Sequence, residues 1–183
     1  MSSAVRFAAS LVTVLGIPLA AFCGIEDADG QDVARATASI RNLDGDEIGR
    51  ATLTEGANGV VVTAELDDLP PGTHAFHVHE TGACAPPFES AGGHAHEGDT
   101  KHGILSPGGM HVGDMPNLHV PDSGEITVDA FVEGATLGSG EDGRLPLLTG
   151  DGSALVLHAG ADDYATDPAG NAGDRIACGV ITR

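Results

Sequence analysis

Aromatic residues are nearly absent from this sequence: they make up 3% of it, with five Phe, one Tyr and no Trp. Cations are scarce as well, 8 Lys and Arg against 27 Asp and Glu, for a formal net charge of −19 and a pI of about 4.4. The basic stripe that nucleic-acid binding needs is therefore excluded, as is charge-driven binding to an anionic membrane surface. Disorder is excluded too, because 41% of the residues are apolar and fall in patterned runs that can build a core. What is abundant is Gly (27) and Pro (10). Over 183 residues this composition predicts one turn-rich, small-residue, all-β domain rather than a helical one.

Long apolar runs are limited to FAASLVTVLGIPLAAF, residues 7–22, which follows MSSAVR and ends at Cys23-Gly24. A charged start, an apolar middle and a small-residue end read as a secretory signal peptide over residues 1–23, and the run is short for a spanning helix. Its fate stays open between cleavage near Ala21 or Gly24, acylation of Cys23 as in a bacterial lipoprotein, and retention as a spanning anchor. Phe22 is bulkier than the small residue usual before an acylated Cys. The expectation is export, to the periplasm, cell envelope or extracellular space, with membrane anchoring through a lipidated Cys23 as one outcome. Residues 24–32, GIEDADGQD, read as an acidic linker, and 33–183 as the folded domain. All the acids and seven of the eight cations lie after Cys23, so the exported chain carries 7 − 27 = −20.

Cysteine is sparse: beyond Cys23 only Cys84 and Cys178 remain. An oxidising compartment favours one disulfide between them over two separate buried thiols. Such a bridge closes a loop of about 95 residues, for which chain entropy predicts about 4–5 kcal/mol and practice about 2–4.

After the linker the pattern has period two. Strands are predicted at 34–41, 48–55, 59–66, 73–80, 114–120, 124–132, 152–159 and 175–182, with the breaks NLDGDE, GAN and DDLPPG between the first four. There is no internal repeat. Eight short strands with Gly and Pro punctuation predict a sandwich or flattened barrel with Greek-key connections. Two long segments lack strand signal, 81–111 and 160–174, and a loop of the first one's length needs something to order it.

The histidines, with Cys84, supply that something. Seven of the nine lie between His74 and Asp114. Alternation puts His77 and His79 on one face of one strand; alone, such a pair is more often solvent-facing than a metal site. The loop that follows adds His94, His102, His111 and Asp114, three imidazoles and a carboxylate that suit a closed tetrahedral zinc site. His158 ends the downstream strand LVLH, and imidazole-rich sites suit zinc and copper.

In order, HVHE, SAGGH, KHG, MHVGD, LVLH, ADD and GNAGDRIACGV resemble the copper–zinc superoxide dismutases, most of all their exported bacterial members. The resemblance runs over residues 33–183 and reproduces the family's gaps: fifteen residues from His79 to His94, eight to His102, nine to His111 and three to Asp114. It implies one copper ion on His77, His79, His94 and His158, and one zinc ion on His94, His102, His111 and Asp114, with His94 bridging the two. It implies a Cys84–Cys178 disulfide, with Arg175 beside the copper to meet an anion. It makes Asp162 the carboxylate that fixes one histidine of each set. The implied activity is disproportionation of superoxide, with Arg175 and His94 as the catalytic residues. Since the family's bacterial members include monomers and dimers, the resemblance admits a homodimer.

The remaining histidines read as peripheral. His74 is expected at the surface, His119 on an exposed strand position, and His96 where the family usually has Asn. The second loop carries no Lys, and Asp163, Asp167 and Asp174 surround Arg175 in sequence. An anionic substrate approaching so acidic a chain needs a local positive funnel, expected from the metals, Arg175 and Lys101, the only lysine.

Overall fold

The computed structural model describes residues 33–183; the expected signal peptide, Cys23 and the expected linker lie outside the described residues. Period-two alternation produces the strands. In β1 (Arg35–Asn42) Ala36, Ala38 and Ile40 point inward, and in β3 (Gly59–Leu66) Val60, Val62, Ala64 and Leu66 do so while Val61 and Glu65 are exposed. β2 (Glu47–Glu55), β5 (Phe76–His79), β7 (Ile126–Glu133), β10 (Ala154–His158) and β11 (Arg175–Val180) complete a seven-stranded antiparallel sheet in the order β5-β10-β11-β1-β2-β3-β7. The chain crosses from one edge to the other between β3 and β5 and back again before β7, as a Greek-key arrangement requires. The core is aliphatic, with Leu53, Leu118, Leu137, Leu147, Leu155 and Leu157 fully buried.

Among the described residues there are eleven strands, not eight, and the extra breaks have identifiable causes. The predicted strand 73–80 divides at Ala75. Its N–H bonds the carbonyl of Gly160 and its carbonyl accepts from the N–H of His158. Ahead of this break β4 (Gly72–His74) pairs with β6 (Leu118–Val120), and beyond it β5 pairs with β10. The break also moves His74 inward, so the expectation of a surface residue is wrong. His74 is 4% exposed, with Nδ1 2.9 Å from the carbonyl of His158 and Nε2 2.9 Å from that of Pro70. Alternation from His77 could not predict this, because the two residues belong to different ladders. The predicted strand 114–120 is regular only over β6, since Asp114 turns toward the histidines and Pro116 has no N–H to donate. A short parallel pair, β8 (Ala135–Thr136) with β9 (Leu145–Pro146), had no signal in the sequence. It is clasped by the half-buried Glu55, which accepts from Arg144 Nη1 at 2.7 Å and from the Leu137 N–H at 2.6 Å.

The first long loop has more of its own structure than predicted. Cys84 and Cys178 are bonded, and beside them Phe88 and Ala91 pack on Ala154 and Val156 as a small satellite core. Full burial of Phe88 contributes about 1.5–3 kcal/mol. The expectation that the histidines and Cys84 order residues 81–111 without a core is therefore corrected for the first half of the loop, where the Phe88 cluster adds one.

Candidate metal centre

β5 presents His77 and His79, both fully buried, and β10 runs beside it with Val156 opposite His77. A bulge at Leu157/His158 shifts the β10–β11 register so that His158 faces Arg175. The loop then folds back along β5. Ala95 N–H bonds the Val78 carbonyl at 2.8 Å, Val78 N–H bonds the Gly113 carbonyl at 2.9 Å, and His79 and His94 form an isolated bridge. A Cβ at position 113 would lie 2.1 Å from the Val78 carbonyl oxygen, so only Gly fits immediately before Asp114.

These elements bring the predicted donors together as two groups. His77, His79, His94 and His158 form one; His94, His102, His111 and Asp114 form the other; within each group the donor atoms lie within 4.8 Å of one another. The His94 ring belongs to both and lies 4.1 Å from the His77 ring and 5.0 Å from that of His102, centroid to centroid.

Every donor ring but that of His102 is held by one nitrogen and offers the other. His79 Nδ1 meets the Gly92 carbonyl at 3.0 Å, His158 Nδ1 that of Gly173 at 3.2 Å, and His111 Nε2 that of Thr100 at 3.3 Å. Asp162 holds two rings, His77 Nε2 at 2.8 Å and His102 Nε2 at 2.9 Å. What is left over is a set of buried nitrogens with no hydrogen-bond partner: His77 Nδ1, His79 Nε2, His94 Nε2, His111 Nδ1 and His158 Nε2. An unsatisfied buried polar atom costs about 1–3 kcal/mol, so five of them in two adjoining donor sets identify a binding site rather than a core.

The donor set fits the ions that the resemblance implies. Asp114 Oδ1 lies 2.8, 2.9 and 3.6 Å from Nδ1 of His94, His102 and His111. Tetrahedral zinc with ligands at 2.0–2.1 Å separates its donors by about 3.3 Å, which these distances bracket. His102 faces carboxylate oxygens at both nitrogens, and a neutral ring has one N–H, so one of those edges suits a cation. The other group offers nitrogen alone, the donor type that suits copper.

Electrostatics keep the donors free. Burial, helped by the charge of neighbouring His94, lowers the His79 pKa to about 2. Burial and the neighbouring His77 lower that of His158 to about 4, and burial also lowers His77 and His111. Desolvation raises Asp114, but hydrogen bonds from His94 and the Gly103 N–H outweigh it and bring it down to about 2. Asp162 is likewise held below the usual carboxylate range by His77 and His102, against desolvation. Neutral imidazoles and ionised carboxylates are the forms that bind metal.

Sequence reasoning missed the groups that support Asp162. Asn117 clasps its backbone reciprocally, with Nδ2 donating to the Asp162 carbonyl at 2.9 Å and Oδ1 accepting its N–H at 2.8 Å. The Tyr164 hydroxyl accepts the Asn117 N–H, and the Tyr164 N–H donates to Asp162 Oδ1. A lone Tyr two residues after Asp162, in a chain so poor in aromatics, was the available signal. Gly170 (φ 61°) covers this carboxylate, and a Cβ there would lie 1.8 Å from Asp162 Oδ1.

The site opens to solvent through one cavity of about 260 Å³ whose lining includes His79, His94, His111, His158 and Arg175. The guanidinium donates to the carbonyls of Phe88 and Gly92, each at 2.7 Å. At the rim Lys101 Nζ lies 3.1 Å from Asp167 Oδ2, with both side chains exposed. His119 is exposed, as expected, and so is His96.

The comparisons with known proteins agree with this geometry. The profile of the family "Copper/zinc superoxide dismutase (SODC)" matches residues 47–181. The chain is 48% identical over 146 residues to Superoxide dismutase [Cu-Zn] 1 of Aquifex aeolicus, covering 79% of this chain and 85% of that one. Among solved structures, an SOD-like protein from Bacillus subtilis superposes with a TM-score of 0.74 at 36% identity, covering 79% of this chain and 96% of that one. The Cu/Zn superoxide dismutase of Brucella abortus superposes with a TM-score of 0.64 at 29% identity, covering 80% and 99%. With sequence, fold and donor arrangement in agreement, the chain belongs to the copper/zinc superoxide dismutase family.

Proposed function

We propose that the protein disproportionates superoxide, two anions and two protons giving dioxygen and hydrogen peroxide. The observation that carries this reading is the convergence of five unpartnered buried imidazole nitrogens on two adjoining donor sets. His77, His79, His94 and His158 would hold copper; His94, His102, His111 and Asp114 would hold zinc. When bound, copper supplies one-electron redox chemistry that zinc cannot, while zinc supplies fixed charge and geometry.

The chain's own groups do the rest. Arg175 draws in and orients the anion by charge and hydrogen bonding, its position fixed by the Phe88 and Gly92 carbonyls. His94 has one nitrogen toward each donor set, Nδ1 beside Asp114 and Nε2 without a partner. Nε2 is the atom that holds a proton between the two half-reactions and gives it to the reduced oxygen; water supplies the second proton. Asp162 keeps the His77 and His102 rings in register with each other.

The same reading puts the protein in an exported, oxidising compartment. The apolar run before Cys23 and the Cys84–Cys178 bond support this. Intact mass of the mature chain from envelope fractions distinguishes a cleaved chain from one acylated at Cys23.

The test of function is superoxide turnover by the purified chain measured together with its copper and zinc content. One of each ion per chain with fast copper-dependent turnover is expected. Both ions bound without turnover would overturn the enzymatic reading in favour of metal buffering or delivery.

A further inference from the structure

His96 lies outside both donor sets, yet it lines the same cavity as His94 and His111. Its ring centroid is 5.1 Å from that of His111, at an interplanar angle of 32°. Its Nδ1 meets the carbonyl of Gly98 at 3.1 Å, which leaves Nε2 without a protein partner among the described residues. This repeats, at the mouth, the arrangement of the buried donors His79, His158 and His111: one nitrogen pinned to a backbone carbonyl and the other free.

His111 is the doorway of its set. Its side chain is 8% exposed, against 2% for His94 and 0% for His102 and Asp114. An ion bound for that set must lose its waters on the way in, and a free imidazole beside His111 replaces one before the buried donors are reached. Glu97 and Asp99, both exposed, follow His96 closely in the chain. The acidity that opposes an anionic substrate attracts a divalent cation.

We propose that His96 is a loading ligand, binding an incoming divalent metal ion transiently at the cavity mouth and passing it through His111 to the set completed by His94, His102 and Asp114. The inference rests on the proposed metal-binding reading of that set. Because the step is reversible, a ligand that lowers the entry barrier must lower the exit barrier equally. It changes rates and leaves the equilibrium alone.

The test uses the full-length chain with Co2+ as an optical probe of the tetrahedral set. Entry is followed by stopped flow, exit by transfer to excess EDTA, and Kd by titration, all at one neutral pH. For His96→Asn, entry and exit should both slow by about 5–20-fold with Kd unchanged. The control His119→Asn, an exposed histidine on β6 away from the cavity, should stay within about twofold of the parent chain. His96→Asn rates within twofold of the parent would overturn the proposal. So would faster exit with weakened Kd, which would make His96 a static support for His111. Absence of any tetrahedral Co2+ spectrum in the parent chain would overturn the reading of the set itself, and the role of His96 with it.

Discussion

The two donor sets are built on different foundations. Of the copper set, His77 and His79 stand on β5 and His158 on β10, neighbouring strands in the core of the sheet. The zinc set comes wholly from one segment between His94 and Asp114, of which only the beginning and end lie along β5. The first half of the loop has the disulfide and the Phe88 cluster. The stretch from His96 to Met110 contributes no residue to either core cluster. A sheet can hold imidazoles in place before any ion arrives, whereas that stretch is expected to depend on the ion for much of its order.

That contrast can be broken from either side. Replacing a strand-borne donor, His158→Ala, should cut superoxide turnover by more than the 10–100-fold that loss of an outer hydrogen-bond partner costs, while protease resistance of residues 96–110 stays as in the parent chain. Cleavage in that stretch would show that the copper set also orders it.

Asp162→Asn should reach both sets at once, weakening each ion's affinity by about 10–100-fold, as read by competition with chelators. An effect confined to copper would mean that His102 is held well enough by Asp114 alone.

His111→Ala, or withdrawal of zinc, should leave the sheet amides protected against hydrogen exchange and open residues 96–110 to proteolysis by about tenfold. Equal cleavage with and without zinc would remove the distinction drawn between the sets.

Acid should act in the same direction on both. His158 and His79 have folded pKa values near 4 and 2 against an ordinary 6.5, and Asp114 near 2 against 3.8. Unfolded chains therefore take up protons that the folded apo-protein refuses, beginning below pH 6.5. Stability is complete above that pH. It is lost as pH falls toward 4 and then 2. Thermal melts should place the apo-protein's Tm at pH 4.5 roughly 5–10 °C below its value at pH 7. The metal-loaded protein should change less over the same interval, and equal losses would mean the ions do not compete with these protons.

The smallest effect is expected at Lys101. Because Asp167 already pairs with it, Lys101→Glu should lower the second-order rate about twofold at low salt and not at all at high salt. No change at low salt would remove Lys101 from substrate attraction.

Six of the seven donors were legible in the sequence because histidine is a rare side chain and recurs here at definite spacings, Asp114 was legible through its place in MHVGD, and the strands beneath them were legible from their period-two alternation. What holds the donors was not. Backbone carbonyls of Gly92, Thr100 and Gly173 pin three of the rings, and a carbonyl leaves no mark in residue identity. His74 was misplaced because its strand changes ladder at Ala75, an event fixed by partners from distant parts of the chain. Phe88 reads as an isolated apolar residue in a polar loop until the disulfide brings β10 and β11 beneath it.

Asp162 touches one ring from each set, and this contact is also a thermodynamic linkage. An ion that fixes His77 fixes the carboxylate, and so places His102 for its own ion at reduced entropic cost. By reciprocity, whatever factor the first ion lends the second is returned in full. The two sites are therefore expected to fill cooperatively, in either order, with one carboxylate as the coupling element.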